Sequence, residues 1–225
     1  MNFAFQPLID LADRRLWGVE ALARFADGRS PLEHFAAARA AGTLADAELD
    51  AVRGVLAAST ALPAGLLVTI NVSGEHLEAL AGSVRLDPRL RWGLELHEDS
   101  APGSCRQARA LAARMGCLLL IDDAGSGHAT AARIRQAAAD VVKLDRSLAG
   151  RLHEDSAREL LHAARQAGAR ILLEGIETQA QAEQAQAAGI DYAQGYYYAR
   201  PVPAADLPAA FEDLHRRVGI DVAGF

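Results

Sequence analysis

The sequence has little with which to cross-link itself, enter a membrane or attract a polyanion. Cys105 and Cys117 are its only cysteines, too few for a disulfide scaffold, so a reduced pair and a cytoplasmic setting are expected. The chain does not open on a basic segment followed by an apolar stretch, and no apolar run approaches the ~20 residues that span a bilayer. Membrane insertion is therefore not expected. Acidic residues outnumber basic ones 29 to 23, for a net charge of -6, and such a field repels duplex nucleic acid and anionic membrane surfaces. A phosphate ligand would need local positive charge, from a few Arg and Lys side chains or from metal ions. There is also no repeat of fixed period, no low-complexity linker and no block of like charge. One domain over residues 1–225 is expected.

What is present is a core: 51% of the 225 residues are hydrophobic, enough for a single large domain. Short apolar runs alternate with Ala-rich amphipathic stretches, the pattern of parallel strands joined by crossover helices. Candidate strands are Phe3 to Leu11, Trp17 to Phe25, Leu66 to Val72, Trp92 to Leu96, Cys117 to Ile121, Val141 to Leu144, Arg170 to Leu173 and Tyr192 to Tyr198. Candidate helices are Pro31 to Ala41, Ala45 to Ala61, Gly74 to Leu80, Ser104 to Met115, His128 to Ala138, Ser156 to Ala167, Thr178 to Ala188 and Ala204 to Arg217. Gly42, Gly116, Gly168 and Gly189 stand where left-handed helix ends are wanted. About eight strands close a barrel. Only Ala12 to Leu16 separates the first two, too short for a crossover, so they should pair as an antiparallel hairpin. The expected fold is α/β: a modified TIM-type (β/α)8 barrel with an antiparallel first strand.

Parallel barrels build their sites at the C-terminal ends of the strands, and there this sequence repeatedly places polar residues. Leu66 to Ile70 ends on Asn71, Trp92 to Leu94 leads to Glu95 and then Glu98, and Leu118 to Ile121 ends on Asp122 and Asp123. Val141-Val142 leads to Lys143, Ile171 to Leu173 to Glu174, and Tyr192-Ala193 to Gln194, while Glu20 lies within its strand. Five carboxylates in one pocket (Glu20, Glu95, Asp122, Asp123 and Glu174) would repel one another and take up protons unless cations neutralised them. All-oxygen ligands with the Asn71 amide suit hard ions such as magnesium or manganese. Each acid alone reads more readily as a solvated residue past a strand; the set does not.

With these residues in place, the chain resembles the EAL domain family of cyclic di-GMP phosphodiesterases over essentially its whole length. The matching segments are Gln6-Pro7, Glu20-Ala21-Leu22 with Arg24, Asn71-Val72-Ser73, Glu95 with Glu98, and Asp122-Asp123 with Gly125 and Gly127. Lys143-Leu144-Asp145, Glu174-Gly175-Ile176-Glu177 and Gln194-Gly195-Tyr196 complete them. The resemblance implies hydrolysis of one phosphodiester of cyclic di-GMP to linear pGpG with two divalent cations, Mg2+ or Mn2+. It implies that Glu20, Asn71, Glu95 and Asp122 hold the first ion and that Asp122 and Asp123 hold the second. Glu174 and Gln194 would act on water held by the ions, and Lys143 would orient the nucleophile or neutralise phosphate charge. Arg24 would contact ligand phosphate, its alternative being a surface salt bridge. Gln6, Leu22, Pro201 and Tyr198 would line the cleft, with core packing the alternative for Tyr198. Glu98 would steady the loop after Asp123, and a homodimer is the family expectation.

The departures lie mostly in that loop. The family usually reads Asp-Asp-Phe-Gly-Thr-Gly, then an aromatic and two serines, where this chain reads Asp122 to Thr130 with Ala124 and His128. Loss of the aromatic at 124 is expected to loosen Asp123, and Ala124→Phe to preserve or raise turnover. Arg39 replaces a common glutamate, and His97 stands where threonine is usual; with Glu95, Glu98 and Asp99 it offers a zinc alternative. The altered loop also leaves a second class open, a receptor that binds cyclic di-GMP without useful turnover. A purely structural module would have to carry the acidic rim by chance. The first strand starts close to Met1, so a stand-alone domain and a piece of a longer chain are both open.

Overall fold

The computed structural model describes residues 1–96, 104–126 and 131–223. Strands β1 (Asn2–Asp10) and β2 (Arg15–Arg24) form an antiparallel hairpin, its turn held by Asp10 Oδ1 accepting the backbone N–H groups of Ala12 and Asp13. There follow α1 (Pro31–Ala40), α2 (Leu44–Ala58), β3 (Leu67–Val72), α3 (Leu77–Ser83), β4 (Arg91–Leu96) and α4 (Ser104–Met115). The chain continues through β5 (Leu118–Ala124), α5 (Ala131–Ala137), β6 (Val141–Leu144), α6 (Asp155–Gln166) and β7 (Arg170–Leu173). It ends with α7 (Gln179–Ala187), β8 (Tyr192–Ala193) and α8 (Leu207–Val218).

The eight strands close a barrel in sequence order. From β2 to β8 all neighbours are parallel, whereas β1 runs antiparallel to both β2 and β8. The expected fold is therefore the observed one, and Gly42, Gly116, Gly168 and Gly189 adopt the positive φ their positions predicted. No helix among the described residues is long and apolar enough to cross a membrane.

Strand alternation divides the molecule into two apolar regions and one polar one. Residues such as Val19, Val68, Ile70, Leu94, Leu119, Ile121, Val142, Ile171 and Leu173 face outward and join the large core beneath the helices. Inward, Leu8, Trp17, Leu67, Leu120, Val141 and Leu172 form a separate cluster that fills the barrel toward the N-terminal ends of its parallel strands. A register shift between Leu8 and Ile9 leaves Trp17 as the extra residue of β2. Its ring stacks on Tyr192 with centroids 3.8 Å apart, closing that end. Gly93 makes the layer above possible, since a Cβ there would lie 2.8 Å from Leu120 Cδ1 and 2.9 Å from Thr69 Cγ2. Inward positions further along the strands carry the charged and amide side chains, so the barrel has an apolar floor and an ionic mouth.

The last strand differs most from expectation. Tyr192 to Tyr198 reads as a strand from its aromatic content, yet the ladder stops after Ala193. Gly195 is pressed against the loop after β7, where an added Cβ would meet the backbone of Ile176 at 2.1 to 2.6 Å. Ile176 N–H donates to Gln194 O and Tyr197 N–H donates to Ile176 O, so the chain turns onto this loop instead of extending. Tertiary contact overrides β propensity here.

Both cysteines are unpaired and buried, as the sparse cysteine content led us to expect. Burial pushes the Cys117 thiol up to about 11, leaving very little thiolate near pH 8. Neither thiol of the folded protein should react with a thiol-specific disulfide reagent within minutes at pH 8, and both should react in denaturant. Rapid labelling of the native protein would contradict this packing.

Candidate active site

The polar residues predicted at the strand ends come from all sides of the mouth. Gln6 lies on β1, Glu20 on β2, Asn71 on β3, Glu95 on β4, Asp122 and Asp123 on β5, and Lys143 on β6, while Glu174 and Gln194 directly follow β7 and β8. Register brings them level: Gln6 pairs with Glu20, Glu20 with Thr69, and Asn71 with Glu95. Gln6, Glu20, Glu95, Asp122, Lys143 and Gln194 are all buried.

Lys143 is the electrostatic centre. Its side chain is wholly buried, and Nζ lies 2.5 Å from Glu95 Oε2, 2.8 Å from Asp122 Oδ1, 2.8 Å from Glu174 Oε1 and 3.6 Å from Glu20 Oε2. Burial alone would favour a neutral amine, but the four carboxylates overcome it and hold the ammonium well above its ordinary range. One ammonium cannot balance four acids. Burial, reinforced by the Glu20 charge, raises Glu95 well above the carboxylate range against the pull of Lys143. Burial likewise pushes Glu174 up to about 8 against Lys143, with Asp122 and Glu20 adding to the rise.

Amides organise the opposite side of Glu20. Gln194 Nε2 donates to Glu20 Oε2 at 2.7 Å and to Gln6 Oε1 at 3.1 Å, and Asn71 Nδ2 donates to Glu20 Oε1 at 3.1 Å. Gln6 Nε2 in turn donates to Ala199 O at 3.1 Å. The sequence marked Gln6 and Gln194 separately, but nothing local to either could reveal a bond spanning 188 residues. Thr69 was passed over; its buried hydroxyl lies level with Glu20, and its spacing of two from Asn71 was the available signal.

Asp122 and Asp123 could not share a pocket on a regular strand, because adjacent side chains point to opposite faces. The chain resolves this with a bulge: Ile121 pairs with Val142 but Ala124 with Leu144, leaving an extra residue on β5. Asp123 takes a left-handed φ of 56°, a conformation aspartate tolerates better than most residues. Its carboxylate thereby joins those of Asp122 and Glu174, with one oxygen of each within 4.8 Å of the others.

Ala124 lies at the end of β5 and not in the loop beyond it. The residue is fully buried, belongs to the outer core and pairs with Leu144. A phenylalanine would have to displace packed neighbours, which costs about 1 to 3 kcal/mol. Ala124→Phe should therefore lower the denaturation midpoint, read by chemical unfolding, and an unchanged midpoint would restore the loop-anchor reading. The adjacent Ser126 N–H donates to Asp123 O and Asp145 N–H to Ala124 O, so backbone bonds hold this stretch.

The remaining predicted residues lie on the periphery. Leu22 is half-buried on β2, and Arg24 at its end is exposed, with Nη1 donating to Ala23 O. Pro201 is half-buried, whereas Tyr198 packs in the outer core with its hydroxyl pushed upward by burial. Arg39 pairs with Glu75 of the loop after β3. His97, Glu98, Asp99 and His128 lie outside the described residues.

Comparison with known proteins gives this geometry a family. The cyclic di-GMP phosphodiesterase PA2567 of Pseudomonas aeruginosa is 32% identical over 96% of this chain and 40% of its own length. The structure of the PaMucR phosphodiesterase in complex with c-di-GMP superposes with a TM-score of 0.72 and 27% identity, covering 92% of this chain and 98% of that one. The Klebsiella pneumoniae BlrP1 complex with manganese and cy-diGMP gives a TM-score of 0.75 and 26% identity, covering 89% and 56%. The chain spans less than half the length of the curated relatives it matches over most of its own sequence. Residues 1–201 match the EAL domain, and the chain, with its acid-lined barrel mouth, belongs to the EAL domain family.

Proposed function

We propose that this chain, acting as one domain over its 225 residues, hydrolyses cyclic di-GMP to linear pGpG with two divalent cations, Mg2+ or Mn2+. The observation that carries the reading is the gathering of Glu20, Glu95, Asp122 and Glu174 around one ammonium, with Asp123 turned in beside them. Manganese and calcium accompany cy-diGMP in the relatives' complexes.

The side chains fit such ions. The donors are all oxygens, and among the described residues the buried Glu95 Oε1 and Gln194 Oε1 have no hydrogen-bond partner, which leaves lone pairs available to a cation. Glu20, Asn71, Glu95 and Asp122 would hold one ion, and Asp122 and Asp123 the second, with Glu174 close enough to take part. When bound, the ions acidify water and stabilise charge on the attacking and leaving oxygens. Water adds across one P–O bond, its hydroxyl to phosphorus and its proton to the departing oxygen. Lys143 keeps a fixed positive charge beside the reacting phosphate, and Gln194 fixes the Glu20 carboxylate. Arg24, Gln6, Leu22 and Pro201 line the cleft for the dinucleotide, Glu98 steadies the loop after Asp123, and Tyr198 packs beneath. A homodimer in the cytoplasm completes the proposal.

A second reading, a cyclic di-GMP receptor without useful turnover, has its motivation in the altered sequence from Ala124 to Thr130. Incubation with cyclic di-GMP and Mg2+ or Mn2+, with chromatography of the linear dinucleotide, separates the two. Tight binding without product would sink the enzyme reading.

A further inference from the structure

Helix α8 lies beyond the residues that match the EAL domain, yet it holds the segment from which part of the site is hung. Leu207, Phe211 and Leu214 bury one face of the helix against the outer core. Its C-terminal end is fixed as well: Arg14 Nη2 donates to Val218 O, Asp221 N–H to Arg14 O, and Leu16 N–H to Asp221 O. From this anchored helix Arg217 donates through Nη1 to Tyr197 O at 2.8 Å and through Nη2 to Tyr198 O. Its Nε donates to Asp213 Oδ2 at 3.2 Å, one turn earlier. The planar fork is thus used on three sides, an arrangement an ammonium cannot copy.

The clamped turn joins Gln194 to Ala199. Among the described residues no backbone N–H outside the ladders takes the Tyr197 or Tyr198 carbonyl, whereas Tyr198 and Ala199 N–H both donate to Gly195 O. Ala199 O receives the Gln6 amide, Gln6 Oε1 receives Gln194, and Gln194 donates to Glu20. We propose that Arg217 is a positioning residue for the barrel mouth: it locks the 195–199 turn so that Gln6 and Gln194 present Glu20 in the orientation that binds a divalent cation. This rests on the metal-dependent reading of the site.

Loss of an outer partner of a metal ligand commonly costs about 10- to 100-fold in metal affinity or activity. Arg217→Ala should therefore weaken Mn2+ binding about 10-fold, measured by calorimetry without substrate, and lower kcat by a similar factor with KM for cyclic di-GMP little changed. Arg217→Lys should recover only part of the loss. Arg216→Ala is the control, because it removes a bond to Asp213 on the same helix without touching the turn or the packing of α8; it should leave the Mn2+ affinity unchanged. If Arg217→Ala lowers Tm but keeps wild-type Mn2+ affinity, the positioning role is overturned. Should Arg217→Ala not fold, wild-type Mn2+ affinity in Arg217→Lys overturns it equally. The binding measurement needs no turnover, so a wild-type protein that binds Mn2+ without hydrolysis refutes the phosphodiesterase reading alone.

Discussion

Glu20→Ala should abolish measurable turnover of cyclic di-GMP while leaving the protein folded. The carboxylate is the meeting point of both halves of the mouth: Oε2 accepts Gln194 and lies 3.6 Å from Lys143 Nζ, and Oε1 accepts Asn71. Removing it takes a ligand from the first ion and frees the two amides that aim at it. The Lewis acidity lost with the ion is worth several kcal/mol, so kcat/KM should drop by at least about a thousandfold. Stability behaves differently. The Glu20 charge is one of the causes that raise Glu95 and Glu174, so its removal relieves repulsion, which offsets the hydrogen bonds given up. Tm should stay within a few degrees of wild type in metal-free buffer, while calorimetry shows weaker Mn2+ binding. Wild-type turnover by this variant would show that the catalytic centre is elsewhere.

The strands, the hairpin and the acids were legible because they depend on short-range pattern. Apolar runs punctuated by Ala-rich helices set the barrel, a five-residue gap from Ala12 to Leu16 forced the hairpin, and a polar residue at each strand end marked the mouth. What escaped depends on contacts distant in sequence. Nothing in Tyr196-Tyr197-Tyr198 announces that Gly195 meets Ile176, so the last strand was read too long. The paired aspartates suggested a shared ion, but not the bulge that lets adjacent residues point the same way. Ala124 looked like a missing loop anchor because its family counterpart is aromatic; only the packing reveals a core position on β5. Arg217 carries no local sign of its role, since the two carbonyls it holds lie 19 and 20 residues away in the turn after β8.

Lys143→Met should produce the largest loss of stability of any single change at the mouth, and the loss should depend on divalent cations. The side chain is fully buried among Glu20, Glu95, Asp122 and Glu174, and methionine has similar length without the charge. Leaving buried acids without their counter-charge costs about 3 to 5 kcal/mol. In a chelator-containing buffer the urea midpoint should fall accordingly, and millimolar Mn2+ should restore more stability to the variant than it adds to wild type, because the ions then supply the only positive charge among these acids. The pH dependence provides a second check. In the folded wild type the Glu174 carboxyl is raised from 4.5 to about 8, so the folded state keeps a proton that the unfolded chain releases. That contribution is complete below the ordinary carboxylate range and is lost as pH rises toward about 8, so metal-free stability should decline across this interval. The decline should steepen in Lys143→Met, where no ammonium draws the carboxyls back down. A variant as stable as wild type in chelator, with no added gain from Mn2+, would mean that the ammonium does not balance these carboxylates.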